Sequence, residues 1–216
     1  TSGQGAYGVL AQSVGGGGGL VVTGDAANPV IESGGNGKGL AGVVNVELNA
    51  PVNVSGEGAI GVYMGTVNGN ADPHLTINAG QSVIAKGGAS AVVLDGLDNV
   101  LINHGAIRAT NNSSDSAVEI RGGASAITQI ENNGVILGHI KNYSLSSVSF
   151  MNNESSRFIS AGGLSFLGSG TFTNKGYFLS NLGGENTVGN SQFSGTFNQT
   201  NTGILGVKFD HNASLS

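Results

Sequence analysis

The sequence contains few side chains that could act in acid–base or nucleophilic chemistry, and their spacing matches no known catalytic arrangement. The 216 residues include 13 Asp and Glu, 4 His and no Cys, so a thiol nucleophile is excluded. Asp95 and Asp98 are close in sequence, and an enzyme that cleaves polysaccharides on stacked coils would need such carboxylates beside Lys or Arg. Lys86 and Arg108 approach them only in one particular register, so a solvated turn is the stronger interpretation. We therefore expect no catalytic residues, and a β-helical polysaccharide lyase or hydrolase is the alternative.

The sequence does not indicate a metal or cofactor site either. The four histidines, His74, His104, His139 and His211, form no His-x-x-x-His pair, so the usual helical zinc motif is absent. A run of five glycines begins at Gly15, but the Lys and Ser or Thr of a phosphate-binding loop do not follow it. We expect no metal ion and no cofactor.

The composition is that of a folded chain with little charge. There are 39 Gly, charged residues are 10% of the chain, and 8 Lys and Arg against 13 Asp and Glu give a formal net charge of −5. Nucleic-acid binding needs clustered basic residues, so no nucleic-acid partner is expected. No stretch approaches the roughly 18 apolar residues of a membrane helix, so this segment is not expected to insert into a membrane.

One short pattern recurs along the chain: an apolar strand position, then Asn, a variable residue and, in most copies, Gly. The copies lie 20 to 29 residues apart, and their Asn markers are Asn49, Asn78, Asn103, Asn132, Asn152, Asn174 and Asn201. A second pattern, a small residue and Ala before alternating apolar residues, occurs at Gly58–Val62, Ser90–Leu94 and Ser116–Ile120. Each unit thus holds at least two short strands, and the Gly and Asn in nearly every window disfavour helices.

This repetition predicts an all-β fold, a right-handed parallel β-helix (β-solenoid) of about eight coils, in which each unit forms one turn. Equivalent residues of successive turns then lie about 4.8 Å apart, so the Asn side chains can bond one above another in a ladder. Asn and Gly also tolerate the left-handed backbone of sharp corners. An antiparallel sandwich gives no reason for the same Asn-x-Gly at the same place in successive units. The right hand follows the general rule for parallel crossovers.

The chain is expected to form a single continuous β-helical fragment over residues 1–216. All 8 Phe lie at or after Phe150. The core is therefore expected to consist of Val, Ile and Ala up to about residue 149 and to be richer in Phe over residues 150–216. No Pro-rich or charged linker separates the two parts.

The N-terminal part of the chain reads GAYGVLAQSV from Gly5 to Val14 and continues with five glycines. This segment resembles one that is common in large, adhesin-like autotransporter passengers of Gram-negative bacteria, and the Asn-x-Gly strands are similar to those passengers as well. The resemblance implies a parallel β-helix that a C-terminal outer-membrane barrel carries to the cell surface (type V secretion). The chain would then be a passenger fragment, displayed at the bacterial surface or secreted. Members are commonly adhesins and surface antigens, and they share no catalytic motif.

A surface of Ser, Thr, Asn and Gly suits weak, repeated contacts. Together with the resemblance, it predicts adhesion to a host-cell surface protein, a glycan or a matrix component, or self-association, and recognition by antibodies. The expected contact sites are loops that interrupt the coil, with the candidate residues Asn68, Asn70, Asp72, His74, Asn111, Asn112, Asp115 and Glu185. A passive spacer stalk for a binding tip elsewhere is the remaining alternative.

Overall fold

The computed structural model of the chain is an all-β structure. It describes residues 1–15, 20–25, 28–33, 39–67, 72–110, 116–122, 127–143, 147–160, 163–180 and 191–207. Within these ranges there are 21 strands and no helix. Accordingly, no helix in the described part of the chain has the length and hydropathy that a membrane crossing requires.

Three parallel sheets run along the molecule and contain all but two of the described strands. Sheet 1 consists of β4 (Val44–Leu48), β7 (Pro73–Ile77), β10 (Asp98–Asn103), β13 (Ile127–Asn132), β16 (Ser147–Asn152), β18 (Gly163–Asn174) and β20 (Ser191–Gln199). Sheet 2 consists of β5 (Val52–Ser55), β8 (Ser82–Lys86), β11 (Ala106–Thr110), β14 (Val135–Leu137), β17 (Arg157–Ser160), β19 (Tyr177–Ser180) and β21 (Ile204–Val207). Sheet 3 consists of β1 (Tyr7–Val14), β6 (Ile60–Val67), β9 (Ser90–Asp95), β12 (Ser116–Ile120) and β15 (Ile140–Asn142). The other two strands form an antiparallel hairpin, β2 (Leu20–Asp25) and β3 (Asn28–Ser33).

From β4 to β15, each turn of the coil passes through the three sheets in the same order. β7 in sheet 1 leads to β8 in sheet 2 and β9 in sheet 3, and the chain then returns to sheet 1 as β10, which lies beside β7. The strands of successive turns pair in parallel, so the predicted parallel β-solenoid is confirmed. The five strands of sheet 3 correspond to about five turns, four of which have a strand in every sheet (β4–β6, β7–β9, β10–β12 and β13–β15). The expected count of about eight coils is not confirmed.

The alternation of inward and outward side chains explains why these short segments form strands. In β7, Pro73, Leu75 and Ile77 are buried, whereas His74 and Thr76 are exposed or half-buried. A strand's period of two places one set in the core and the other on the surface. Because each strand is short, one turn cannot bury its apolar side chains alone, and its stability depends on the turns above and below.

The composition of the core changes along the axis. Around β6 to β14 it is built of aliphatic side chains such as Val62, Leu101 and Ile136. From β16 onward it contains a group of four aromatic rings, Phe150, Phe158, Phe172 and Phe178. Their centroids lie 4.7 to 5.5 Å apart, in both stacked and edge-to-face pairs. Burial of each ring contributes about 1.5–3 kcal/mol to stability.

Candidate functional site

The outer face of sheet 3 differs chemically from the outer faces of the other two sheets. Three of the 4 tyrosines of the chain, Tyr7, Tyr63 and Tyr143, lie on it or at its edge. Outward positions of sheet 1 carry a mixture of polar and apolar residues without a tyrosine, and sheet 2 carries the fourth tyrosine, Tyr177, beside Arg157. The sheet 3 face is therefore the best candidate for a site of recognition or chemistry.

The parallel register brings side chains from separate turns into rows on this face. Tyr63 of β6 is level with Val93 of β9, which is level with Glu119 of β12. Two residues further along the chain come Asp95, which ends β9, and Arg121, which directly follows β12. They share the same face because side chains alternate with a period of two. The alternate residues of the same strands point inward and belong to the hydrophobic core: Val92, Leu94, Val118 and Ile120.

Glu119 is buried on this face, and both of its carboxylate oxygens have donors. Its Oε1 accepts from Ser90 Oγ at 2.8 Å and from Ser116 Oγ at 3.1 Å. Its Oε2 accepts from Arg121 Nη2 at 2.7 Å and Nε at 3.2 Å. Burial alone would raise the pKa of Glu119, but the hydrogen bonds from Arg121 and the serines, with the positive charge of Arg121, outweigh it and lower the pKa. Glu119 is therefore ionised and acts as a partner of Arg121.

Tyr63 lies across the face and reaches the next turn. Its hydroxyl donates to Asp95 Oδ2 at 2.7 Å, and its ring meets Tyr7 edge-on with 6.0 Å between centroids. Gly65 leaves room for this ring, because a Cβ there would lie 2.7 Å from Tyr63 Cε1. Burial first, and then the hydrogen bond to Asp95 and its negative charge, raise the pKa of Tyr63, so its hydroxyl stays a donor.

Arg121 and Tyr143 form the exposed part of this arrangement. The Arg121 side chain is 41% exposed and Tyr143 is 63% exposed. Burial would lower the pKa of Arg121, but its hydrogen bonds to Glu119 and the charges of Glu119 and Asp95 raise it. Burial and the charge of Glu119 raise the pKa of Tyr143. The edge of the face thus presents a permanent cation beside a neutral phenol. We call Tyr63, Asp95, Arg121 and Tyr143 the tyrosine patch.

The predicted Asn ladder lies inside the coil, at the corner between sheets 1 and 2. Asn103, Asn132, Asn152 and Asn174 are buried, and each of the first three donates from Nδ2 to the Oδ1 of the next at 2.8 Å. Each Nδ2 also donates to a backbone carbonyl of the next turn, as Asn103 does to Val135 at 3.2 Å. These amides bond to one another and to the backbone, so they hold the turns together.

The C-terminal end of the ladder differs from the predicted one. Asn174 Nδ2 donates to Gln199 Oε1 at 3.0 Å, whereas Asn201 is exposed. The reason is register, because Gln199 is the residue of β20 that is level with Asn174. Asn201 lies two residues further on, in the turn.

The N-terminal end differs as well, because Asn49 and Asn78 form a separate outer pair. Asn78 Nδ2 donates to Asn49 Oδ1 and to Glu47 Oε1, both at 2.7 Å. Ile77 is level with Asn103, so these two Asn lie one residue past the ladder. The turn after Ile77 has four residues (78–81), but the turn after Asn103 has two (104–105).

A second pair continues the same outer row. Asn153 Nδ2 donates to Asn133 Oδ1 at 2.8 Å, and Glu131 Oε1 accepts from Asn133 at 3.1 Å and from Asn153 at 3.0 Å. His104 is exposed and stands between the two outer pairs, level with Asn133 on one side and Asn78 on the other. One imidazole thus interrupts an otherwise regular row of amides.

The Gly of the Asn-x-Gly pattern serves close packing between turns. A Cβ on Gly134 would lie 2.1 Å from the carbonyl oxygen of Gly105, and a Cβ on Gly105 would lie 2.2 Å from that of Gln81. Neither glycine has a positive φ, so these two corners do not use the left-handed backbone that glycine tolerates. Gly80, in the longer turn after Ile77, has a φ of 80° and is the left-handed case.

The structure describes two of the eight candidate loop residues. Asp72 precedes β7, is partly buried, and has no hydrogen-bond donor at Oδ1 among the described residues. His74 is exposed on β7. The other six candidates, Asn68, Asn70, Asn111, Asn112, Asp115 and Glu185, lie outside the described residues.

Asp95 and Asp98 separate onto different sheets. Asp95 ends β9 in sheet 3, whereas Asp98 begins β10 in sheet 1 and accepts at Oδ1 from the Ile127 N–H at 3.0 Å. Lys86 and Arg108 belong to strands of sheet 2. No described ion pair joins any of these four side chains.

The tyrosine patch was not predicted from the sequence, because the second repeat pattern aligns β6 with β9 two residues away from their true register. The second repeat pattern sets Val62 against Leu94, whereas the structure places Val62 level with Val92. The corrected alignment puts Tyr63 and Glu119 in one row. It would have shown an aromatic side chain and a carboxylate in one outward row, two turns apart.

No group of three or more His, Asp or Glu side chains within the described ranges is placed to hold a metal ion. No protein-family model, no curated protein and no solved structure matches the chain.

Proposed function

We propose that this chain is a passenger segment of a Gram-negative autotransporter that is displayed at the cell surface or secreted, adheres to host cells or matrix, and serves as a surface antigen. The observation that supports adhesion is the tyrosine patch, where the exposed ring of Tyr143 stands beside the fixed cation of Arg121. Tyr and Arg are enriched at the centres of protein binding surfaces, whereas Ser and Lys are depleted there.

The coil supports this role by fixing the patch in advance. Tyr63, Asp95 and Arg121 come from three successive turns, and parallel strand pairing sets their spacing. Hydrogen bonds to Asp95 and Glu119 further restrict Tyr63 and Arg121. A partner therefore meets a preorganised surface and does not have to order these side chains itself.

Two finer features belong to the proposal. The coil is right-handed, as parallel crossovers generally are. A rod of about eight coils requires turns beyond the five that the strands of sheet 3 indicate. Outward Ser, Thr and Asn along such a rod provide weak, repeated contacts for matrix components or for a second copy.

Adhesion is tested with the purified chain coupled to fluorescent beads. The beads are applied to cultured epithelial cells and to immobilised matrix proteins, beside beads that carry an unrelated β-solenoid of similar net charge. We expect saturable attachment that the soluble chain competes away. Attachment no better than that of the control beads would support a passive spacer and contradict adhesion.

The state of Glu119 argues against a polysaccharide lyase or hydrolase on this face. A general acid needs a raised pKa, whereas Arg121 and the serines lower the pKa of Glu119. We therefore propose no catalytic role for the chain. The test is incubation with acidic and neutral polysaccharides and measurement of new reducing ends and unsaturated products. Robust cleavage that Asp95→Ala abolishes would overturn this part of the proposal.

A further inference from the structure

The tyrosine patch combines one donor-only group with one acceptor-only group on neighbouring turns. The Arg121 guanidinium can only donate hydrogen bonds, and the Asp95 carboxylate can only accept them. Asp95 Oδ2 already accepts from Tyr63, and Arg121 already binds Glu119, so both side chains are held in place. A ligand that bridges them must offer an acceptor and a donor at short separation.

A pair of neighbouring hydroxyl groups meets that requirement, because each hydroxyl both donates and accepts. One hydroxyl would accept from Arg121 while its neighbour donates to Asp95. Ligands with such pairs along their length are saccharides. A peptide backbone also offers both groups, but it would need an unpaired strand edge, and the patch lies on the face of a sheet.

The exposed ring of Tyr143 supplies the apolar part of such a site. It lies directly after β15, where its N–H donates to the Ile120 carbonyl at 2.9 Å, so it is adjacent to Arg121 on the next turn. An aromatic ring with an amphipathic edge packs against the apolar C–H face of a sugar and leaves the hydroxyls free to bond. The ring and the two charged groups therefore address different sides of one ligand.

The charges of the face favour a neutral ligand. Glu119 is level with Lys141, and the carboxylates of Asp95 and Glu119 balance the cations of Arg121 and Lys141. An anionic sugar would be repelled by the Asp95 carboxylate, and the charge of Arg121 is already offset by Glu119.

We propose that the tyrosine patch binds a neutral oligosaccharide, with Arg121 and Asp95 bonding adjacent hydroxyls and Tyr143 packing on the sugar ring. This inference rests on the proposed adhesive function, since it names the ligand class of the same surface. It goes further in assigning the residues that recognise the ligand and in excluding acidic sugars.

The test is binding of defined trisaccharides to the whole chain, measured by saturation-transfer NMR and titration. The probes are neutral trisaccharides of glucose, mannose and N-acetylglucosamine, with a galacturonic acid trisaccharide as the anionic counterpart. We expect at least one neutral trisaccharide to bind more tightly than the anionic one. Tyr143→Ala is expected to weaken that binding about tenfold, as loss of a central aromatic anchor does.

The matched control is Tyr177→Ala, because Tyr177 is 39% exposed but lies on sheet 2. This variant should change the affinity for the trisaccharide by less than about twofold, because it removes no anchor of the proposed site. Asp95→Asn is a second variant that keeps the side chain's shape, and it should also weaken binding.

The inference is overturned if no neutral trisaccharide binds at concentrations up to about 10 mM, because a site with one aromatic anchor should have a lower dissociation constant than this. It is also overturned if the galacturonic acid probe binds best, or if the Tyr143 and Tyr177 variants behave alike. Bead adhesion without trisaccharide binding would sink this inference and leave the proposed function standing. Trisaccharide binding without bead adhesion would do the reverse.

Discussion

The Asn ladder and the tyrosine patch are both built by stacking turns, but they use the stack in opposite ways. The ladder places the same residue type on turn after turn, and its buried amides bond to one another and to the backbone. The patch places a different residue on each turn, from Tyr63 to Asp95 to Arg121, and part of it is exposed. Repetition of one residue type holds the coil together, whereas variation between turns creates a surface that can recognise something else.

Removal of one ladder amide should have the largest effect on stability. Asn132→Ala deletes the acceptor of Asn103 and the donor to Asn152, and it leaves the Gly134 N–H without the Oδ1 that it contacts at 3.3 Å. We expect a loss of about 3 kcal/mol, the cost of several buried groups left unpaired. Urea unfolding followed by circular dichroism measures it. The outer Asn133→Ala is the control, and equal losses in the two variants would contradict the distinction between ladder and surface.

Removal of Arg121 should destabilise the patch less, with a reversed pH dependence. Arg121→Gln leaves Glu119 buried without its cation, and we expect a loss of about 2 kcal/mol at neutral pH, below the range for a fully buried pair because Arg121 is part-exposed.

The direction of this pH dependence follows from the pKa of Glu119. In the native chain this pKa is lowered, so the stability that Glu119 provides is present above its ordinary pKa and is lost as pH falls through the lowered value. Without Arg121, burial dominates and raises the pKa, so acidification from neutral pH should stabilise the variant. Unfolding curves at about pH 4 and 7, on either side of the ordinary glutamate range, measure this. Arg108→Gln, an exposed change on sheet 2, should keep the native pH dependence.

Tyr63→Phe should have a smaller effect, mostly in alkali. Loss of the bond to Asp95 should cost about 1 kcal/mol at neutral pH. The pKa of Tyr63 is raised, so the stability from its neutral hydroxyl is present below the ordinary tyrosine pKa of about 10 and is lost as pH rises through the higher folded value. The phenylalanine variant should therefore lose less stability between about pH 9 and 12. Tyr177→Phe is the control, and an identical alkaline loss in native chain and Tyr63 variant would refute this.

The smallest expected effect is a gain. His104→Asn places an amide between Asn78 and Asn133 and joins the two outer pairs into one row. We expect the free energy of unfolding to rise by about 0.5–1 kcal/mol. For a chain of this size, a gain of about 1 kcal/mol raises the thermal midpoint by about 2–4 °C. His74→Asn, on the exposed side of β7, should leave the midpoint unchanged. A gain no larger than that of the control would mean that outer amides do not couple across turns.

The middle of the ladder could be predicted from sequence because identical residues must coincide when coils stack. Asn103, Asn132, Asn152 and Asn174 each end a strand, and the turn starts immediately after. The ends could not be predicted in the same way. Asn78-Ala79-Gly80 has the same Asn-x-Gly spacing as Asn103-His104-Gly105, but the register places Ile77 level with Asn103, so Asn78 lies one position past the ladder.

The patch could not be predicted because it depends on register between turns of unequal length. Tyr63, Val93 and Glu119 are level in the structure but 30 and 26 residues apart in sequence. No shared residue type marks the row, so nothing in the sequence signals a misalignment. The structure of a stacked fold is therefore easiest to predict from sequence where the same residue type recurs in each turn, and hardest where each turn carries a different residue.

The tight corners at Gly105 and Gly134 have a consequence for how this chain can diversify. A side chain at either position would collide with the backbone of the neighbouring turn, so these points tolerate almost no change. Outward strand positions carry no such constraint; examples are Ser149, which is exposed, and Thr171, which is half-buried. A molecule with this division can change the groups on its outer faces while the path of its coil stays constant.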